Sequence, residues 1–348
     1  MVYQADCAFI ETVAGTGKSS STPDSGPAKQ TPIGNPFGVE IGPDEALYIC
    51  EVDHHRIRRL NLKTGILRTI AGTGKKGWSG DGGSAVDAEL NEPYEVRFSK
   101  NGDMYFVEMK NHLIRKVDAE TGFISTVAGK GVSGFGGDGG PAITALFNRP
   151  HSIALDDAGH LFVADIGNHR IRRINLKSGL IETIAGNGER TLPIDGSLAA
   201  NKPMLGPRAL FYQHQFLWIA LREGHSIWKL NLKKGRLTHI SGTGKKGFSG
   251  DGGSLKNATF NGPKGIALDK NGRIYVADTE NQAIRLLDRE QDRIVTLAGK
   301  GPDFRGPKGD GGPADSAELN RPHGIGVDSK GIVYIGDSEN HRVRRVRH

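Results

Sequence analysis

One phrase recurs along this chain at a nearly constant interval. A proline precedes a short apolar stretch six times, at positions 36, 93, 150, 207, 263 and 322, so the successive steps are 57, 57, 57, 56 and 59 residues. A period of this size indicates a repeated supersecondary unit that buries its apolar surface against its neighbours. The repeat therefore limits the fold class before any single residue is considered.

Each unit reads as four short strands. In the third unit they are HSIALD, LFVADIGNHR, IRRINL and LIETIAG, separated by turns rich in Gly, Asn and Asp. Such turns between short apolar runs are typical of β-strands, and no stretch has a long helical period. Four-stranded units of this length predict the blades of a propeller, in which ring closure removes exposed sheet edges. We therefore predict an all-β, six-bladed β-propeller.

The two ends of the chain complement each other. The last unit stops after three strands, and FIETVAG at residues 9–15 resembles the missing fourth. We predict that Phe9 to Ala14 pairs beside Val343 to Val346, and that residues 1–348 form one propeller. The expected blades cover about 35–72, 92–128, 149–186, 206–242, 262–299, and 321–348 together with 9–15.

The repeats also carry a family resemblance. VADIGNHRIRRIN, VADTENQAIRLLD and IGDSENHRVRRVR resemble NHL repeats, and loops such as GDGGPAITALFNRP resemble those of a bacterial-type NHL subgroup. The resemblance covers all six units and implies a six-bladed propeller. It implies no single function, because NHL propellers serve many roles.

Composition restricts partners and location. The two cysteines, Cys7 and Cys50, do not provide a disulfide framework, and no apolar run is long enough to span a membrane. The N-terminal residues lack the pattern of a signal peptide. We expect a soluble protein, favoured as a monomer, that is cytoplasmic or secreted with its signal removed. The net charge of +7 favours anionic partners.

The residue after each proline is the strongest functional signal. This position varies among otherwise similar repeats, and its occupants are Phe37, Tyr94, His151, Arg208, Lys264 and His323. They head the inner strands, so we expect them to converge on the top mouth of the central channel. We predict catalytic roles for Tyr94, His151, Arg208 and His323, and substrate binding by Phe37 and Lys264. The alternative is that all six are solvated side chains that fill the mouth.

Further candidates come from other repeat positions. An acid ends the second strand in five blades, and we predict that it is a frame element that accepts hydrogen bonds from backbone N–H groups. These acids are Glu51, Glu108, Asp165, Asp278 and Asp337. The two glutamates are longer, so we assign them to substrate binding together with Arg222 of the divergent fourth blade. Loop aspartates such as Asp138 are predicted as turn or helix caps rather than calcium ligands. Histidines such as His55 and His112 are predicted to pack in turns.

A second resemblance concerns metal binding. RPHSIALD and RPHGIGVD match the histidine phrase of propellers similar to peptidylglycine amidating lyase, in which three histidines hold zinc. The resemblance implies His151 and His323 as zinc ligands in the channel. Calcium is the other divalent metal considered, and it is suggested by the GDGG loops rather than by this resemblance. The third histidine is missing here, and zinc sites need three or four close protein ligands.

These observations favour two classes of function. The first is a lyase or hydrolase that acts on a small anionic or sugar-like substrate, using His and Tyr for acid–base chemistry and Arg and Lys for charge stabilisation. The alternative is a non-catalytic module that presents its top face to a protein, glycan or RNA. Nucleic acid is the weaker partner, because aromatic residues make up 7% of the chain and stacking on bases requires them.

Overall fold

The computed structural model describes residues 8–20 and 23–347. Its strands form six antiparallel sheets, five with four strands and one with five. Each sheet is one blade, which confirms the predicted all-β propeller. Cys7, one of the two cysteines considered above, lies outside the described residues, whereas Cys50 is a buried free thiol.

The strands occupy equivalent positions in every blade. The first strands are Pro36–Ile41, Pro93–Phe98, Ser152–Leu155, Pro207–Gln213, Gly265–Leu268 and Pro322–Val327. The second strands are Leu47–Glu51, Met104–Glu108, His160–Asp165, Phe216–Leu221, Ile274–Asp278 and Val333–Asp337. The third strands are Arg56–Asn61, Leu113–Val117, Arg170–Asn175, Ser226–Asn231, Ala283–Asp288 and Arg342–Arg347. The fourth strands are Ile66–Ala71, Ile124–Ala128, Ile181–Ala185, Arg236–Ser241, Arg293–Ala298 and, for blade six, Phe9–Ala14.

Short elements complete the blades. Ser25–Pro27 adds a fifth strand to the outer edge of blade one. Short 3₁₀ helices cover Ala28–Gln30, Ala85–Asp87, Ala142–Thr144, Ile166–Asn168, Leu255–Asn257, Thr279–Asn281, Ala314–Ser316 and Ser338–Asn340.

The ring closes through the N-terminal strand. Phe9–Ala14 pairs antiparallel with the third strand of blade six, with Ile10 opposite Val346 and Ala14 opposite Val343. The first strands also contact one another in ring order, and that of blade six contacts that of blade one. Both observations confirm closure by the N-terminal strand, which gives the sheet of blade six four strands, as in blades two to five.

The apolar core lies between the blades. It consists of six clusters, and each is built from side chains of two neighbouring blades. This distribution follows from strand geometry, because alternate side chains point to opposite faces of each sheet. Every blade therefore depends on both neighbours, and the first strands are held in fixed positions around the axis.

Each blade except the fourth contains a fully buried arginine. These residues are Arg58, Arg115, Arg172, Arg285 and Arg344. Each lies within 3.6 Å of the acid that ends the second strand of its blade. That acid also accepts a hydrogen bond from a backbone N–H of the preceding loop, as the frame interpretation predicted.

The loop aspartates complete this frame. Asp138 accepts hydrogen bonds from Arg172 at 2.7 Å and from Thr183 at 2.6 Å, and Asp81, Asp251 and Asp310 bind the arginines of their blades in the same way. Of the two predicted roles, turn or helix cap, the helix cap was wrong, since none of the 3₁₀ helices in the described residues has a side-chain cap. The buried guanidinium outcompetes a local cap because each of its charged hydrogen bonds needs an acceptor.

A second set of contacts joins each blade to the next. In five blades a histidine with positive φ accepts, at Nδ1, a hydrogen bond from the backbone N–H of the residue before the next proline; they are His55, His112, His169, His225 and His341. In blade five Gln282 accepts the equivalent bond from Arg321 through Oε1, at 2.7 Å. We call these contacts the clasps. They do more than pack a turn, because they hold the loops that enter the mouth.

Blade four keeps the geometry without the charges. Leu221 replaces the acid and Trp228 replaces the arginine, and both are buried. The Trp228 indole N–H donates to Ser226 Oγ at 2.9 Å. The two partners are absent together, so blade four buries no unpaired frame charge.

Candidate functional site

The six side chains that follow the prolines line one cavity of about 300 Å³ at the top mouth. Neighbours in the ring touch: Phe37 stacks on His323 at 3.8 Å and meets Tyr94 edge-to-face at 4.7 Å, and Tyr94 meets His151 at 4.8 Å. Below them the channel narrows to a void of about 20 Å³. The mouth is therefore a shallow cup with a nearly closed floor.

Local bonds fix the protonation of both mouth histidines. The Nδ1 of His151 lies 2.5 Å from the carbonyl oxygen of Arg149, and the Nδ1 of His323 lies 2.8 Å from that of Arg321. A carbonyl can only accept, so Nδ1 carries the proton in each ring and Nε2 is the basic nitrogen. Burial holds the pKa of both rings well below the ordinary value, and neighbouring cations, among them Arg208, lower it further.

Arg208 is a buried guanidinium without an ion pair. It is 4% exposed, and its Nη1 donates to the Lys264 carbonyl oxygen at 3.3 Å. Among the described residues, no carboxylate oxygen lies within 4.0 Å of a nitrogen of the Arg208 guanidinium. Burial lowers its pKa to about 10, which leaves it charged at neutral pH. Its guanidinium carbon lies 5.3 Å from the centre of the Tyr94 ring, and burial raises the pKa of that phenol.

Lys264 belongs to a paired network on the opposite side. Its Nζ donates to Glu280 at 2.7 Å and lies 3.5 Å from His323 Nε2. Glu280 also binds Arg321 at 3.1 Å, and Arg321 lies 3.5 Å from Glu339. Burial lowers the pKa of Lys264 to about 8, although Glu280 opposes this shift.

The remaining predicted site residues separate into two groups. Arg222 lines the mouth, as expected of a substrate-binding residue. Glu51 and Glu108 do not: both are fully buried within their blades, where they pair with Arg58 and Arg115. The expectation that these glutamates reach the channel was wrong, because the frame arginines hold both carboxylates inside the sheet.

Sequence reasoning missed four charged residues. Arg149, Arg321 and Glu339 line the cavity, and Glu280 binds two of its cations. The two arginines stand directly before Pro150 and Pro322, and both have positive φ. The phrase RPH was therefore a usable signal, since the residues on both sides of the proline face the mouth.

The mouth residues do not fit a divalent metal. Within residues 8–20 and 23–347, no three His, Cys, Asp or Glu side chains gather where they could hold one ion. The Nε2 of His323 also faces the Lys264 ammonium group, which competes for the same lone pair. Zinc requires more neighbouring ligands and calcium more oxygens than this cavity provides.

The fold and the mouth define a six-bladed β-propeller with a cationic top cavity. The sequence profile of the NHL repeat matches residues 147–174, 260–285 and 319–346, which cover blades three, five and six. The chain therefore contains NHL repeats in these three blades, and its other blades resemble them. In the part of the chain that the structure describes, no helix has the length and apolarity to cross a membrane.

Two curated relatives support this assignment. NHL repeat-containing protein 2 of Gallus gallus is 29% identical over 344 residues, covering 86% of this chain and 44% of that protein. Protein SUPPRESSOR OF QUENCHING 1, chloroplastic, of Arabidopsis thaliana is 28% identical, covering 86% of this chain and 29% of that protein. The chain thus spans less than half the length of these relatives.

Solved structures share the fold at low identity. An auxiliary nutrient binding protein from Bacteroides thetaiotaomicron has a TM-score of 0.71 at 18% identity, covering 99% of this chain and 77% of that chain. A streptogramin B lyase has a TM-score of 0.55 at 14% identity, covering 98% and 97%. A gluconolactonase from Xanthomonas campestris has a TM-score of 0.58 at 11% identity, covering 99% and 98%. Both enzymes and binding proteins therefore use this architecture.

Proposed function

We propose that this protein is a lyase or hydrolase that acts on a small anionic or sugar-like substrate in the top mouth. The observation that carries the proposal is Arg208, a nearly fully buried guanidinium with no carboxylate partner, in the same cavity as a neutral His151. Burying an unpaired charge is costly, and a substrate carboxylate or phosphate would supply the missing counter-charge.

The surroundings of Arg208 support the binding of an anion. Arg149 is exposed at the rim and forms no ion pair with a described residue, and Arg222 lies 3.6 Å from Glu223. With Arg208 they form a cationic arc on blades three and four. The apolar side of the cup, formed by Phe37 and Tyr94, is suited to the hydrocarbon face of a sugar or other ring.

The mouth also holds the groups that acid–base chemistry needs. In an elimination, His151 Nε2 removes the proton next to the substrate carboxylate, the C–H electron pair forms a C=C bond, and the bond to the leaving oxygen breaks. Lys264, with its lowered pKa, or Tyr94 donates a proton to that oxygen. Arg208 stabilises the negative charge that develops on the carboxylate. In a hydrolysis, His151 instead takes the proton of an attacking water.

The alternative is a binding module that uses the same cationic arc without turnover. The observation that favours it is the shallow, nearly closed cup, together with the nutrient binding protein among the propellers of similar fold. Such a module would hold an anionic nutrient, glycan or protein group at the top face.

Calorimetric titration with D-glucuronate, citrate and neutral D-glucose tests the anion site. We expect the two anions to bind more tightly than glucose, and Arg208→Leu to weaken them about ten- to a hundredfold, the value of a charged hydrogen bond. Equal binding of glucose, or unchanged binding by Arg208→Leu, would overturn the proposal. The matched control is Arg173→Leu, an arginine on the outer part of blade three.

Turnover separates the two candidates. Incubation with oligogalacturonate, followed by the ultraviolet absorbance of a new conjugated double bond, detects elimination, and acid release from glucono-lactone detects hydrolysis. If the protein is an enzyme, we expect turnover of one of these probes. The variant His151→Gln should then abolish turnover while anion binding persists. Anion binding without turnover of either probe favours the binding module.

A further inference from the structure

The channel has a second cavity at its other end. It measures about 350 Å³ and is lined by the far ends of the first strands of blades one to four and by the turns that follow them. The narrow waist of about 20 Å³ separates it from the top mouth, and Arg97 lines both the waist and this lower cavity. The lower cavity is many times larger than the ~30 Å³ share of one water molecule, so it admits a small organic ligand.

Two carboxylates share one arginine at the lower cavity. Arg97 binds two carboxylates, Glu40 at 3.0 Å and Glu95 at 2.6 Å, and it also donates to two backbone carbonyl oxygens. Lys100 at the rim is paired with Asp157 at 3.0 Å. Arg208 also lines the waist, where it attracts Glu95 from outside ion-pair distance. Glu40 and Glu95 therefore share Arg97, and Glu40 has no cation of its own within ion-pair distance among the described residues.

Glu40 is the carboxylate of this pair that lines the lower cavity. Its Oε2 contacts Arg97, and its other oxygen has no donor among the described residues. Burial raises the pKa of Glu40 to about 7, with Arg97 opposing the shift and Glu95 adding to it. The buried thiol of Cys50, which faces the same groups, stays neutral because burial raises its pKa.

Aromatic rings form the other walls. Phe98, Phe211 and Tyr212 line the lower cavity, each partly buried, and Ile41 and Leu155 add apolar surface. Aromatic faces attract organic cations through the ring quadrupole, and a nearby carboxylate adds coulombic attraction. A bare metal ion would lack ligands here, because Glu40 offers one free oxygen.

We infer that the lower cavity is a binding site for a small organic ammonium ion, with the charged nitrogen beside Glu40 and the carbon body against Phe98, Phe211 and Tyr212. The site is independent of the top mouth, which selects anions. The two ends of one channel thus recognise ligands of opposite charge.

Titration with benzylammonium, with benzyl alcohol as its neutral counterpart, tests this site. We expect benzylammonium to bind, and we expect the affinity for benzyl alcohol to be lower by about tenfold or more. Affinity should rise between pH 6 and pH 8, because Glu40 ionises over this range while the ammonium stays charged. Saturating D-glucuronate should leave the affinity unchanged, since it would occupy the other mouth.

The variant Glu40→Gln keeps the shape and removes the charge. It should weaken benzylammonium about tenfold or more and remove the pH dependence, whereas Glu182→Gln, on the outer strand of blade three, should change neither. Equal affinity for the alcohol, or an unchanged Glu40→Gln, would refute the inference. If Glu40→Gln fails to fold, the comparison of amine with alcohol and the pH profile of the wild-type protein decide the question.

Discussion

Blades three and six carry the same phrase and use it differently. NRPH stands at 148–151 and at 320–323, on opposite sides of the ring. In both copies the histidine donates from Nδ1 to the carbonyl of the arginine two residues earlier. The cations beside His151, Arg149 and Arg208, have no ion pair with a described residue. The cations beside His323 are Lys264 and Arg321, and both form ion pairs, Lys264 with Glu280 and Arg321 with Glu280 and Glu339.

This difference separates a cation that the fold pairs with carboxylates from one that it leaves without an ion pair. A buried cation with two carboxylates, such as Arg172 or Arg344, is satisfied by the fold and has nothing left to bind. Arg208 is equally buried and has no such partner. Identical local sequence therefore leaves unpaired cations beside His151 and ion-paired cations beside His323, because the neighbouring blades differ.

The largest expected effect tests the frame that both blades share. Arg172→Leu and Arg344→Leu should each lower the free energy of unfolding by about 3–5 kcal/mol, because each removes the buried cation shared by two carboxylates, one of them fully buried. Urea denaturation measures this loss. A loss under ~1 kcal/mol in either variant would contradict the structural role assigned to the buried arginines. Adding Asp165→Leu to Arg172→Trp, as in blade four, should restore part of the stability.

Arg208 and Arg321 should respond in opposite ways. Arg208→Leu should leave the free energy of unfolding unchanged or raise it, since it removes an unpaired buried charge. Arg321→Leu should lower it by about 0.5–1 kcal/mol, a modest value because its partners Glu280 and Glu339 are partly exposed. Thermal unfolding of the two variants side by side measures this, and a destabilised Arg208→Leu would show that the arginine is structural.

We expect Lys264 to make the affinity for anions fall as the pH rises above neutrality. It is charged below its pKa of about 8 and neutral above it, so the affinity for D-glucuronate should fall about fivefold from pH 7 to pH 9, the effect of ~1 kcal/mol of coulombic attraction. Lys264→Met should bind more weakly at pH 7 and show no change over this range. A wild-type affinity that is flat with pH would place the ligand away from Lys264.

The smallest expected effect distinguishes the clasp that precedes His151 from the clasp that precedes His323. His112 holds the loop before His151, and Gln282 holds the equivalent loop before His323. Burial, together with Arg149 and Lys110, lowers the pKa of His112, so its contribution to stability is present above about pH 6.5 and is lost as the pH falls below that value. Backbone amide exchange at Arg149 should therefore rise at pH 5 relative to pH 7, after correction for intrinsic rates, more than exchange at Arg321.

The matched variant is His112→Gln, which copies blade five. It should preserve slow exchange at Arg149 at both pH values. If exchange at Arg149 is equally slow at pH 5 in the wild-type protein, the clasp does not depend on a neutral imidazole.

Much of the fold could be predicted because the signals were local and repeated. The proline spacing predicted six blades, and the unpaired strand at residues 9–14 predicted the closure that the structure shows. The convergence of six side chains on one mouth follows from the same register. The positions of Glu51 and Glu108 could not be read in this way, because their partners Arg58 and Arg115 lie on another strand.

The sequence by itself determined the blade count, the manner of closure and the residues that stand at each strand head, since these depend on periodicity and strand alternation. The tertiary structure alone decided which buried charges form ion pairs within the fold and which do not. Arg172 and Arg208 are both arginines at the start or middle of a β-strand; one meets two carboxylates and the other none. The reason is physical: pairing of buried charges is set by distances between strands and blades, and no stretch of sequence contains those distances.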